Sequence, residues 1–340
     1  MEREINPARL NIDLLTEADL PVFGELVTRA FASALEHLVG KIPPGRRVGD
    51  RVRSRFYRPD TRILTMRDST GQVVAALPVQ KCGTRGIPGP LAIADRWQEP
   101  WQKGVGPALL DALMSTMGDL GIEILDAVTF PHSPTHFKLY WNYGMPVFEA
   151  LKLARPVRGL GGERSGAGVY RWSALSEDER DRARAAVESI ATRFYTGFEL
   201  AADIHYVHRQ SIGETFLLEE AGETAAFAIC HFGEMSESYA PDQCLIKYLH
   251  VDPRLSHPGR TLTRFLEHIE AAAASAGLAS VGMMVSTARR EAVDLLLGRG
   301  YRILSLDSQW LMTPAARTRN FARIAADTFQ PEQLVFADWR

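Results

Sequence analysis

The 340-residue chain is short of cysteine, unbiased in charge and without a long apolar run, and each absence removes a class of function. The three cysteines, Cys82, Cys230 and Cys244, are odd in number and scattered, which speaks against a disulfide framework and fits a reducing compartment. Thirty-nine Lys and Arg stand against 41 Asp and Glu, for a net charge of -2. No basic excess or Lys/Arg cluster is there for a nucleic acid or an anionic membrane to exploit, so neither is expected as a partner. No stretch approaches the roughly 20 apolar residues that a bilayer span needs. The opening MEREINPARLNIDLL carries acids and lacks an apolar core run, so it does not read as a signal peptide, and a soluble cytoplasmic protein is expected. His, Cys and acidic residues do not gather at metal-ligand spacing, and no metal is expected.

What the chain does contain is a long internal repeat. With 46% hydrophobic and 24% charged residues, its length suits two globular domains. Gly104, Gly121 and Gly144 are spaced 17 and 23 residues apart; Gly259, Gly277 and Gly300 are spaced 18 and 23 apart. Between them the pattern agrees. Val105, Ala108, Leu109, Ala112, Leu113 and Met117 form a helical stripe, and Leu262, Phe265, Leu266, Ile269, Ala273 and Ala276 form its counterpart. Gly121 and Gly277 sit at helix stops, each followed by a buried-strand run, 122–128 and 278–285. Upstream, Thr16-Glu17-Ala18-Asp19 and Ser176-Glu177-Asp178-Glu179 are capping-box helix starts, each after a short strand. Residues 62–80 and 215–232 read as hairpins turning at Gly71 and Gly222.

These signals place a first domain at 9–157, a glycine-rich linker at 158–168, a second domain at 169–315 and a tail at 316–340. The closing FADWR, residues 336–340, is an aromatic and charged segment able to dock back on the body.

The loop at Gly104-Val105-Gly106-Pro107-Ala108 carries the first chemistry. Glycines at a helix start let backbone N–H groups approach an anion, the macrodipole favours it, and Lys103 adds a charge. A plain strand-to-helix turn uses the same residues. A dinucleotide fingerprint is excluded, because it follows the first strand of a βαβ unit, and here a helix and three strand candidates come first.

In this order the chain resembles the GCN5-related N-acetyltransferases (GNAT). Their (Arg/Gln)-x-x-Gly-x-(Gly/Ala) loop corresponds to Trp101-Gln102-Lys103-Gly104-Val105-Gly106, with Trp in the first place. Their Leu-Tyr-x-x-x-Gly-Phe helix end corresponds to Leu139-Tyr140-Trp141-Asn142-Tyr143-Gly144-Met145. The segment TFPHSPTHFKLYWNYGM, 129–145, also resembles a bacterial variant of the family. The resemblance implies an α/β fold with two tandem GNAT-like α/β sandwich domains and central mixed, mostly antiparallel sheets. It further implies acetyl-CoA as cosubstrate, lying between splayed fourth and fifth strands. With the fourth strand expected at 91–97, Ala94 and Arg96 become its backbone contacts.

The same resemblance makes Tyr140 the general acid that protonates the departing thiolate; a half-buried packing aromatic is the other reading. Asp95, Glu99, His132 and His136 are the candidate bases, with His132 preferred for its position and pKa range. Ser133 lacks a nucleophile-elbow context and reads as a helix N-cap. The second copy departs from the pattern: its loop is Ser256-His257-Pro258-Gly259-Arg260-Thr261, and Leu296 stands where the first copy has Tyr140. The chemistry is therefore expected in the first copy, acting on an amine of a small molecule or peptide. Residual CoA binding at Arg260 and a homodimeric assembly are left open. Two other functions compete: a catalytically silent CoA-binding scaffold, and an aminoacyl-tRNA-dependent transferase, which the near-neutral charge disfavours.

Overall fold

The computed structural model describes residues 11–39, 56–89, 91–94, 104–129, 139–140, 143, 145, 147–160, 168–195, 197–233, 236, 240, 242–312 and 338–339. They divide into two compact units, Met1–Val147 with Ser308–Thr328 and Phe148–Asp307 with Phe329–Arg340.

The first unit opens with β1 (Asn11–Leu14), a 3-10 turn at Glu17–Asp19 and α1 (Leu20–Val39). The Thr16 capping box forms as the sequence implies: the Thr16 N–H and hydroxyl both donate to Asp19. Arg67 ties this start to the sheet through Asp13 (2.9 Å) and Asp19 (2.6 Å), and its guanidinium holds the Asp19 carboxyl well below the usual carboxylate range. The strands β2 (Thr61–Arg67) and β3 (Val73–Cys82) form the expected hairpin, with Asp68 accepting from the Thr70 and Gln72 N–H groups in the turn. Next come β4 (Arg85–Pro88), β5 (Ala92–Ile93), α2 (Val105–Thr116) and β6 (Ile124–Thr129). Antiparallel pairing joins β1 to β2, β2 to β3, and β3 to both β4 and β5; β4 and β6 are parallel. The stripe on α2 is buried as predicted at Val105, Leu109, Leu113 and Met117.

The second unit repeats the plan with β8 (Val169–Arg171), α3 (Glu177–Phe194), α4 (Leu200–Arg209), β9 (Gly213–Glu220), β10 (Glu223–His231), β11 (Gln243–Val251), α5 (Pro258–Ser275), β12 (Ser280–Ser286) and α6 (Arg290–Gly298). Its β8–β9–β10–β11 run is antiparallel and β11–β12 is parallel, matching the first unit. The repeat extends to single hydrogen bonds. Ile122 N–H donates to Met117 O as Leu278 N–H does to Ala273 O; Met145 N–H donates to Tyr140 O as Tyr301 N–H does to Leu296 O. Both sheets are mixed and mostly antiparallel, as expected.

Two boundaries differ from the sequence reading. The strand β7 (Val147–Pro156), assigned above to the first domain, pairs antiparallel with β12 from Ser280↔Pro156 to Ser286↔Ala150 and so belongs to the second unit. The strand β13 (Arg302–Met312), assigned to the second domain, pairs with β6 from Ser308↔Thr129 to Met312↔Leu125 in the first unit. Each sheet therefore takes its last strand from the other half of the sequence. A glycine-rich stretch in the sequence does not say which sheet edge the strand before it will join.

No helix among the described residues is long and apolar enough to cross a membrane. Cys82, Cys230 and Cys244 are buried and form no disulfide among the described residues.

One buried group makes the second unit sensitive to acid. His250 packs against Phe194 (4.9 Å), Tyr195 (5.9 Å) and Phe227 (5.7 Å), and burial pushes its pKa down to about 4, the nearby Asp252 carboxylate opposing and Arg254 and Arg193 adding to the shift. Between about pH 6.5 and 4 the unfolded chain takes up a proton that the folded one refuses, so stability falls with pH at up to about 1.4 kcal/mol per unit. We expect the denaturation midpoint to drop between pH 7.5 and 5, and His250→Gln to lessen that drop. An equal drop in both proteins would contradict it.

Candidate active site

The site begins where two parallel strands part. The pairing of β4 with β6 covers only Arg85↔Ile124 and Gly86↔Leu125. Beyond it β6 continues to Thr129 on its other neighbour, β13, while the fourth strand stays on β3 with its register shifted by one residue, β5 pairing Ala76↔Ala92 and Ala75↔Ile93. Among the described residues β4 and β6 share no further pairing, which leaves a gap in the ladder. At its root the Arg85 guanidinium meets Asp126 at 3.1 Å, both nearly fully buried.

The sequence reading put the fourth strand at 91–97. It begins six residues earlier, at Arg85, and runs in two pieces, 85–88 and 92–93. Pro88 and Gly89 are residue types common in turns, yet Pro88 pairs with Val79, and the Gly89 N–H donates to Pro78 O at 2.7 Å. The interruption lets the strand bend at the mouth of the gap.

This register changes what the expected contact residues offer. The Ala94 N–H donates to Val74 O at 2.8 Å, so that amide is committed to the sheet. Because Ala94 and Val74 are a hydrogen-bonded pair, alternation makes Ile93↔Ala75 a non-hydrogen-bonded pair, and the Ile93 backbone groups turn away from β3. Ile93 was missed in the sequence, where nothing local distinguishes it from its neighbours. Arg96 and Lys103 lie outside the described residues, as do Asp95, Glu99, His132, Ser133 and His136.

At the α2 start Gly104 adopts φ +78°, the left-handed region, with open space where a Cβ would be. The Ala108 N–H donates to Gly104 O, Pro107 has no N–H, and Val105 and Gly106 provide the first-turn amides. The Tyr143 hydroxyl donates to Pro107 O at 2.9 Å, fastening the segment after Tyr140 to this same turn.

Tyr140 and the loop do come together. Leu91, Ile93, Val105 and Tyr140 share one buried cluster, with Ala94 and Ala108 at its margin. Tyr140 is only 4% exposed, its ring 5.8 Å from that of Trp310, whose indole N–H donates to Thr129 at 2.9 Å. Burial pushes the Tyr140 phenol well above its ordinary pKa, so it stays protonated at any physiological pH. In the second unit Leu296 is buried among apolar neighbours, and Thr261 is buried in the first turn of α5.

Comparison with solved structures reads this geometry. A GCN5-related N-acetyltransferase from Sphaerobacter thermophilus superposes with a TM-score of 0.64 at 14% identity, over 91% of this chain and 97% of that one. The fold is that of the GCN5-related N-acetyltransferases, in tandem. The tandem GNAT protein from the clavulanic acid biosynthesis pathway matches over 90% of this chain and 98% of that one, at 13% identity and TM-score 0.57. The Saccharomyces cerevisiae N-myristoyltransferase with bound myristoyl-CoA matches over 90% of this chain and 79% of that one, at 12% identity and TM-score 0.58. No family model matches the sequence, and no curated protein does. The GNAT fold thus survives here with little sequence identity to carry it.

Gly104 gives a direct test of the loop. Gly104→Ala forces an L side chain into the left-handed region without a clash, so strain alone should cost about 1–2 kcal/mol in chemical denaturation. Gly118→Ala, with open space and no positive φ, is the control and should be neutral or slightly stabilising. Equal effects at the two positions would show that Gly104 is unstrained.

Proposed function

We propose that this protein is an acyl-CoA-dependent N-acyltransferase that moves an acetyl group from acetyl-CoA to an amine of a small molecule or peptide, with the chemistry in the first unit. The observation that carries the reading is the parting of β4 and β6 beside a glycine-started helix, in a tandem GNAT fold. A structure of similar fold, the yeast N-myristoyltransferase, holds an acyl-CoA. In the first unit the pantetheine arm lies along the fourth strand, and the pyrophosphate meets the first-turn amides of Val105 and Gly106, with Lys103 and Arg96 as the candidate charges.

The amine nitrogen attacks the thioester carbonyl and the C–O electron pair moves onto oxygen, where a strand N–H holds the oxyanion. The C–S bond then breaks as the carbonyl re-forms. The departing sulfur takes the Tyr140 proton, while the amine gives its proton to a base, for which His132, Asp95 and Glu99 are the candidates. The raised phenol pKa bears on this step. Burial keeps the phenol protonated and so ready to donate, and burial of the departing thiolate raises its proton affinity in the same direction.

A catalytically silent CoA-binding protein is the second reading, favoured by the depth of Tyr140 in an apolar cluster. One pair of variants separates them. Gly106→Glu should abolish acetyl-CoA binding in calorimetry, by filling the loop and repelling the pyrophosphate. Tyr140→Phe keeps the ring packed and should lower turnover by a factor of about 10² or more at nearly unchanged affinity. Turnover close to the unmodified protein's would remove Tyr140 from the mechanism. Binding without turnover in the unmodified protein, across amine acceptors, would favour the silent reading.

A further inference from the structure

In the second unit β11 and β12 pair in parallel over four positions, Gln243↔Ser280 to Ile246↔Met283, and then part. On the other edge of β11, Tyr248 pairs with Ile229 and Ile246 with Cys230, so Lys247 is the extra residue of a β-bulge at the point of divergence. Past the bulge β12 remains on β7, and β11 remains on β10 as far as Val251↔Ala226. The Asp252 N–H donates to Ala225 O at 2.8 Å, which fixes the alternation: the backbone groups of Val251 and Leu249 turn away from β10, toward the side that β12 has left.

Two groups meet that edge. The buried Tyr195 donates its hydroxyl to Leu249 O at 2.9 Å. A short strand, β14 (Asp338–Trp339), adds to β11 in parallel, His250↔Asp338 and Val251↔Trp339.

We propose that residues 338–339 fill, as a strand, the slot of the second unit that corresponds to the acyl-CoA slot of the first, and so close the second unit to the cosubstrate. The inference rests on the acyl-CoA reading above. An extended peptide and a pantetheine arm both present amide N–H and C=O groups, so one strand edge can serve either. It cannot serve both, because the same backbone groups of β11 are used. The rest of the second unit agrees with a slot relieved of catalysis: Leu296 replaces Tyr140 and carries no proton donor, and buried Thr261 takes the place of Gly106 in the helix start.

The test compares the full chain with a chain ended after residue 335 and with Asp338→Pro, which removes one backbone N–H of the strand without shortening it. Hydrogen exchange reports on the docking: the Leu249 and Val251 amides, which face the docked strand, should exchange faster by about tenfold or more in both variants. Calorimetry with acetyl-CoA reports on the exclusion: stoichiometry should rise from one to two, and the new site should persist when Gly106→Glu is added. Unchanged exchange in both variants overturns the docking. Faster exchange with stoichiometry still at one overturns the exclusion. Should the full chain and both variants bind no acetyl-CoA while exchange rises, the acyl-CoA reading falls, the exclusion falls with it, and the docked strand stands.

Discussion

Two parallel strands that part after a short ladder leave a row of backbone amides and carbonyls pointing into a gap, and buried groups of that kind must find partners. Much of this protein is arranged around that requirement. It arises twice, at β4 and β6 after two paired positions and at β11 and β12 after four. The second unit answers from within the chain, with the Tyr195 hydroxyl on Leu249 and a strand from 338–339. In the first unit the fourth strand runs along β3 in two pieces, 85–88 and 92–93, and the Ala94 N–H stays on Val74 while the Ile93 backbone groups turn the other way.

Keeping strands apart at one end requires that they be held at the other. In the first unit the buried Arg85–Asp126 pair sits at the root of the gap, and losing one partner of such a pair typically costs about 3–5 kcal/mol. The second unit buries Glu270 of α5, which accepts from Arg155 on β7, from Arg299 at 2.9 Å and from the Tyr301 hydroxyl at 2.9 Å. That cluster joins β7, α5 and the turn after α6. It sits on the strand this sheet receives from the other half of the sequence.

Much of the plan was legible because its signals are local. Gly121 and Gly277 end their helices where the spacing put them, and the Thr16 and Ser176 capping boxes close as their side chains imply. The buried stripe of α2 follows directly from its 3.6-residue period. The fourth strand was misplaced because Pro88, Gly89 and Pro90 carry turn chemistry, while the partner that makes Pro88 a strand residue, Val79, is fixed only by tertiary pairing. Ile93 escaped notice for a related reason: which way its amide faces depends on register. The strand exchange left no local trace, since β7 and β13 look like ordinary closing strands of their own halves. Of the candidate site, Tyr140, Val105 and Ala108 meet in one cluster, whereas the candidate bases lie outside the described residues.

The exchanged strands have a bearing on how the chain is made. The sheet of the first unit stays one strand short until residues 308–312 have left the ribosome, nearly 180 residues after β6. Synthesis proceeds from the N-terminus at a few to about 20 residues per second, so the exposed edge of β6 waits for several seconds or more. An unpaired edge over that interval invites association with other nascent chains. The two halves therefore mature together, and separating their genes at the glycine-rich linker would yield two fragments, each carrying the other's closing strand.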